Sequence, residues 1–408
     1  MNKDRSADGL RGLAALNVLL CHLLISSYPR AFEGLYPGAA AADATPSKLD
    51  AIIGAPFLNV LWNGNFAVCV FFVLSGYVLT KSFVDTGSMA SLQVRAARRY
   101  LRLSVPILGS TLLAYCFYAA GFNFADDMKL VTHSRWLDQF HDIPVSIATA
   151  LREGLYGGIF LGKSTYAPVL WTMKIEFIGS MLVFGFRAIN PKGWSGAVTA
   201  ATTTLALVLW FPQDWPLYMG FLAGSYLGQV KLTSSRLLIG LLLIIAIYAG
   251  SFDFTGRYNY AAALPINDWG RKHLFNVLGA VALLYVVRCG IFDRVLQSRP
   301  AQFLGRVSYS LYLVHITVLF SIYSGTFSFL QRSSHLDYEA TTAAAAGIAI
   351  LASLVIADTF ERIIDRTGIR LSRSVFPDTH LVDRGTARGD VSVMATPHDE
   401  GVGAGSNA

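Results

Sequence analysis

Apolar residues fall along this chain in long runs separated by short, basic connections. Ten runs stand out, near 10–27, 58–80, 102–121, 168–189, 195–211, 215–230, 236–252, 273–290, 303–325 and 341–363. Many approach the roughly 20 residues that an α-helix needs to cross a hydrocarbon layer. A backbone in lipid must satisfy its own hydrogen bonds, so the runs predict helices. The expected fold class is all-α: a polytopic transmembrane helix bundle of about ten spans over residues 1–375. The remainder, 376–408, turns to Gly, Asp, Ala and Ser and predicts a disordered tail without a core.

Lysine and arginine collect in alternate connections. Lys3, Arg5 and Arg11, then Arg95, Arg98, Arg99 and Arg102, and at the end Arg362, Arg366 and Arg370 share one side. The positive-inside bias makes that side cytoplasmic, together with both termini, in an integral protein of the inner (plasma) membrane. The longer connections, 28–57 and 122–167, then face outward. Counting the moderately apolar segment 143–162 as a span would invert every later loop, so it is expected to be interfacial or re-entrant. Lys3 and Arg5 before an apolar run imitate a signal peptide, but Arg11 and His22 interrupt the run, which predicts a retained first span.

Composition narrows the function classes. Of 408 residues, 53% are hydrophobic and 14% charged, as a membrane protein requires. The net charge of +7 is distributed between spans and forms no aromatic-interleaved patch, so no nucleic-acid partner is expected. Cys21, Cys69, Cys116 and Cys289 lie in or beside apolar runs at no zinc-ligand spacing, and no metal is expected.

Ionisable residues inside the runs carry the candidate chemistry, because a charge in lipid costs a few kcal/mol and needs a cavity or a partner. Arg11 and His22 lie eleven positions apart, on one helical stripe about 16 Å long. Glu176, in PVLWTMKIEF beside the interfacial Trp171, is placed by topology at a depth comparable to His22. Ser308, Tyr312 and His315 share one face of LGRVSYSLYLVH. In FFVLSGY, Ser75 and Gly76 would let another helix approach closely, and the arginines of RAARRYLR suit an anionic cytoplasmic ligand as well as ordinary topology. Histidines and tyrosines here could equally be hydrogen bonds between helices. GGIFLGKS at 157–164 fits the phosphate-loop pattern, yet it lies in an outer loop and is taken as coincidence.

Arg11 and His22 as R-x10-H, then FFVLSGY, RRYLR, LWTMKIE and LGRVSYSLYLVH, stand in the order seen in the acyltransferase 3 family, which this sequence resembles from Asp8 to about Arg370. The resemblance implies an integral membrane O-acyltransferase that moves an acyl group, by the family's habit acetyl, from cytoplasmic acyl-CoA to a hydroxyl of a surface carbohydrate, glycolipid or similar acceptor. It implies that His22 and Arg11 are essential and that Glu176, Ser75, Arg98 or Arg102, Tyr312 and His315 support them. In that scheme Arg98, Arg99, Arg102 and Ser75 hold the donor, with Arg11 at the same end, and Trp171 and Ser308 join Tyr312 and His315 as substrate or supporting residues. His22 is the general base or forms an acyl-histidine, and Glu176 orients or polarises it or accepts the proton onward. The sequence departs from the family at WTMKIEFIGS and in lacking the proline that often follows an acid such as Glu361. The competing class is a transporter or glycan exporter that uses the same buried charges as a path.

Overall fold

The computed structural model describes residues 4–377 apart from 139, 141, 142, 144 and 190–192; beyond residue 377 the expected tail lies outside the described residues. Among the described residues the fold is helical, with one isolated bridge between Ala40 and Ser134. Each of the ten apolar runs is helical: α1 Arg5–Ser27, α2 Gly64–Thr86, α3 Met89–Ala119, α4 Trp171–Ile189, α5 Gly193–Trp210, α6 Trp215–Leu227, α7 Arg236–Gly250, α8 Asp268–Arg288, α9 Arg299–Val318 and α10 Tyr338–Phe360. A short α11, Arg366–Val375, follows.

Fewer than ten of these are candidate spans by length and composition. Six are long and apolar enough to cross a membrane: α1, α2, α3, α4, the rod Arg299–Ser333 that begins with α9, and the rod Tyr338–Val375 that begins with α10. At 13 residues α6 rises only about 20 Å, and α8 carries Asp268, Arg271 and Lys272 in its first turns.

The helix starts follow local chemistry. Asp4, Asn63, Ser88, Asn267 and Ser298 each cap a helix, accepting the backbone N–H three residues on. The Asn63 cap delays α2 to Gly64, six residues beyond the start of the apolar run. The Ser88 cap starts α3 well before its own run, so the arginine-bearing turns from Arg95 to Arg102 are helical and continuous with the apolar part.

Small residues set the close contacts. A Cβ on Gly12 would stand 2.4 Å from the Gly305 backbone nitrogen, so α1 and α9 touch backbone to backbone. Ten residues further along both helices, His22 meets His315. The two helices therefore run parallel and in register. Gly76 and Gly224 do the same for α2 and α6, where an added Cβ would meet the carbonyl oxygens of Phe221 and Val73.

The end opposite the arginines is covered by the 28–57 connection, whose Tyr28, Phe32 and Leu35 form their own cluster. The fully buried Lys272 of α8 pins it by donating to the Leu35 carbonyl, with its Nζ 3.9 Å from the centre of the Tyr36 ring. The segment around 143–162 is a short helix, Ile147–Arg152, running into a π-helix, Glu153–Leu161, packed along α3. Buried Glu153 then ties down the return, accepting from Ser164 and Thr165, and Tyr166 rejoins Ser146. GGIFLGKS thus ends a helix at Gly162 (φ 65°), where a phosphate loop would have to begin one.

Candidate active site

Among the cavities between the described residues, two hold the candidate side chains. One, called the outer chamber for its cover alone, is about 440 Å³, lies under the 28–57 connection and holds His22, Trp136, Trp171, Trp269 and His273. The other, about 470 Å³, lies toward the arginine-bearing end and is lined by Arg11, Arg95, Arg99, Arg102, Glu176 and Arg306. Val68 and Tyr312 line both, so the partition between the chambers is one side chain thick.

His22 lines the first of these chambers with a defined tautomer. His315 Nδ1 lies 2.8 Å from the Tyr312 carbonyl and 3.1 Å from that of Leu311. Carbonyls only accept, so in the neutral ring His315 Nδ1 bears the proton and its Nε2 is a lone pair. That lone pair, 2.9 Å from His22 Nδ1, must accept from it. The proton of neutral His22 is therefore on Nδ1, and Nε2 is left as a base on the chamber-lining imidazole. His315 is 1% exposed, and Trp136 stacks on His22 at 5.0 Å between ring centres, so the base is held from two sides.

Glu176 is not the partner of His22. It forms an ion pair with Arg99, accepts from Ser75 Oγ at 2.8 Å, and lines the arginine-bearing chamber. Its distance along the chain from Trp171, little more than one turn, suffices to carry it out of the outer chamber, which Trp171 lines. Arg99 also donates to Ser180 at 2.8 Å. Arg102 faces Asp365 at 3.7 Å, and Arg11 faces Asp8 at 3.7 Å. Arg98 points elsewhere, its Nε donating to the Phe376 carbonyl at 2.7 Å, and does not line the chamber. Ser308 lines it and donates to the Gly305 carbonyl; Tyr312 is held by Thr172 Oγ1 at 2.8 Å and the Val169 carbonyl at 3.2 Å.

Several site residues carried no signal that sequence reading used. Arg306 sits inside the LGRVSYS motif and bridges Asp358 at 2.6 Å and Glu361 at 3.0 Å. The acids Asp358, Glu361 and Asp365 were legible as an i, i+3, i+7 stripe at the end of an apolar run. Trp136, His273 and Asp214 come from connections or first turns, where periodicity is silent. Burial pushes the Asp214 carboxyl above its ordinary range, with Lys174 opposing the rise.

The comparisons with known proteins agree with one another. A family described as an acyltransferase domain matches residues 4–362. The chain belongs to the acyltransferase 3 family. Among its relatives are acyltransferase clz18 of Cochliobolus lunatus, 22% identical over 88% of this chain and 92% of its own length, and acyltransferase R4 of a Phoma species, 23% identical over 79% and 84%. O-acetyltransferase PaAT-1 of Phomopsis amygdali is 24% identical over 76% of this chain and 70% of its own length. No solved structure matches the chain. Family membership makes this an acyltransferase, and its apolar helices fit an integral membrane protein.

Proposed function

We propose that this acyltransferase moves an acyl group, acetyl in the simplest case, from acyl-CoA in the arginine-lined chamber to a hydroxyl of an acceptor in the outer chamber. The observation that carries the reading is the relay from the Leu311 and Tyr312 carbonyls through His315 to His22, which leaves an unprotonated Nε2 on an imidazole that lines the outer chamber. His22 Nε2 takes the proton of the acceptor hydroxyl as the oxygen attacks the thioester carbonyl. The C–O bond forms, the C–S bond breaks, and the proton passes to the departing thiolate, releasing free CoA. The transient imidazolium keeps its Nδ1–H bond to His315 and lies against the face of Trp136, both of which favour the cation.

Arg95, Arg102, Arg11 and Arg306 supply positive charge for the nucleotide phosphates, while Glu176 and Ser75 fix the direction of Arg99. The donor enters from the cytoplasm if the arginine-bearing end lies there, as the positive-inside bias indicates. The acceptor class that the family resemblance implies is a surface carbohydrate, glycolipid or similar hydroxyl compound. The name of the Phomopsis relative, an O-acetyltransferase, agrees with acetyl and with oxygen. The test is transfer of label from [14C]acetyl-CoA to cell-envelope material by membranes carrying wild type or His22→Ala at equal protein levels. Transfer that survives in the variant overturns the role of His22.

A further inference from the structure

The outer chamber holds a second imidazole that the transfer chemistry leaves unused. His273, in the second turn of α8, lines the same cavity as His22 and is 3% exposed. Its Nδ1 lies 3.1 Å from the Gln213 carbonyl, in the turn between α5 and α6. A carbonyl only accepts, so in the neutral ring the proton is on Nδ1 and Nε2 is a lone pair. No protein donor meets that nitrogen among the described residues, and it is not among the sealed, unpartnered polar atoms of the interior. It is therefore open to the cavity it lines. Asp214, which also lines the chamber, adds a carboxylate with one oxygen 3.9 Å from His273 Nδ1.

The chamber thus offers an acceptor atom on α1, another on α8, and a carboxylate between α5 and α6, with Trp171 and Trp269 as flat apolar walls. The lining carries this carboxylate and, among the described residues, no lysine or arginine, so an anionic ligand is left uncompensated, while the two open imidazole lone pairs suit a ligand that brings hydroxyl donors on a compact apolar frame. We infer that His273 is a specificity-determining residue: it accepts a hydrogen bond from a second hydroxyl of the acceptor molecule while the first is acylated at His22. The acceptor is then a neutral compound with at least two hydroxyls, one held and one reacting. This inference rests on the acyl-transfer reading above.

The experiment uses full-length protein in lipid nanodiscs, [14C]acetyl-CoA as donor, and cyclohexanol with the 1,2-, 1,3- and 1,4-cyclohexanediols as acceptor probes. The readout is the ratio of kcat/KM for the best diol to that for cyclohexanol, per hydroxyl. Wild type is expected to give a ratio of about 10 or more, the discrimination that one hydrogen bond to a buried, otherwise unpaired acceptor supplies. His273→Phe is expected to bring the ratio to about 1, and His273→Gln, which keeps an acceptor oxygen, to restore part of it. A merely structural role in anchoring the Gln213 turn would slow all four alcohols alike and leave the ratio intact, which overturns the inference. So does a wild-type ratio near 1 for every diol, a result that decides the matter even if His273→Phe does not fold. If wild type acetylates none of the four and matches His22→Ala, the acyl-transfer reading falls and this inference with it. His22-dependent transfer without diol selectivity sinks this inference alone.

Discussion

At the scale of single residues, the site depends on which atoms carry protons and which charges face each other. His315→Phe removes the acceptor for His22 Nδ1–H, so the wrong tautomer becomes available, and kcat should fall by about 100-fold at unchanged donor affinity. Steady-state kinetics with acetyl-CoA check this; a large change in donor KM with little change in kcat would contradict it. The arginines divide by orientation. Arg102 lines the chamber and Arg98 is turned to the Phe376 carbonyl, so Arg102→Glu should weaken acyl-CoA binding by about tenfold or more, and Arg98→Glu should do so much less. Isothermal titration with the two variants separates them. Glu176→Ala strands the cation of Arg99 in a half-closed cavity at a cost of about 3 kcal/mol, and Arg99→Met in the same chain should return part of that. Thermal unfolding of the two variants and the double variant measures the coupling.

Elements matter here through their register. α1 and α9 lie in contact because Gly12 and Gly305 have no side chains, and ten residues on that contact becomes the His22–His315 hydrogen bond. Gly12→Val should lose activity and stability together by forcing the helices apart, whereas Gly347→Val, which meets nothing within 4 Å, should change neither. Activity and melting temperature of this pair test whether register, rather than the imidazoles alone, makes the site. The partition at Val68 is a second case. Val68→Trp should block passage between the chambers, abolishing transfer while acyl-CoA still binds. Loss of both binding and transfer would place the donor elsewhere. Periodicity in the sequence marked the stripe of Ser308, Tyr312 and His315 correctly as one face of a helix. It could not assign partners, because a helical repeat fixes direction around an axis and says nothing of the helix across the gap. Glu176 was misplaced for the same reason: a depth estimate cannot distinguish His22 from Arg99 as its neighbour.

For the molecule as a whole, hydropathy determined that the chain is helical and membrane-suited, and where each helix lies to within about five residues, apart from both ends of α2, the start of α3 and the end of α9. The reason is energetic and local, since an apolar run in lipid has few ways to satisfy its own backbone. The order of R-x10-H, FFVLSGY, RRYLR, LWTMKIE and LGRVSYSLYLVH likewise pointed to the family that the comparisons establish. Tertiary structure alone decided the division into two chambers, the pairing of His22 with His315, the pairing of Glu176 with Arg99, and the place of His273 and Asp214 in the chamber that His22 lines. Those contacts join residues from about 80 to 290 positions apart, and they arise only when glycine-to-backbone packing has fixed which helices touch and in what register. One-dimensional hydropathy records how much each segment avoids water; the shape in which the segments meet is a property of their packed surfaces.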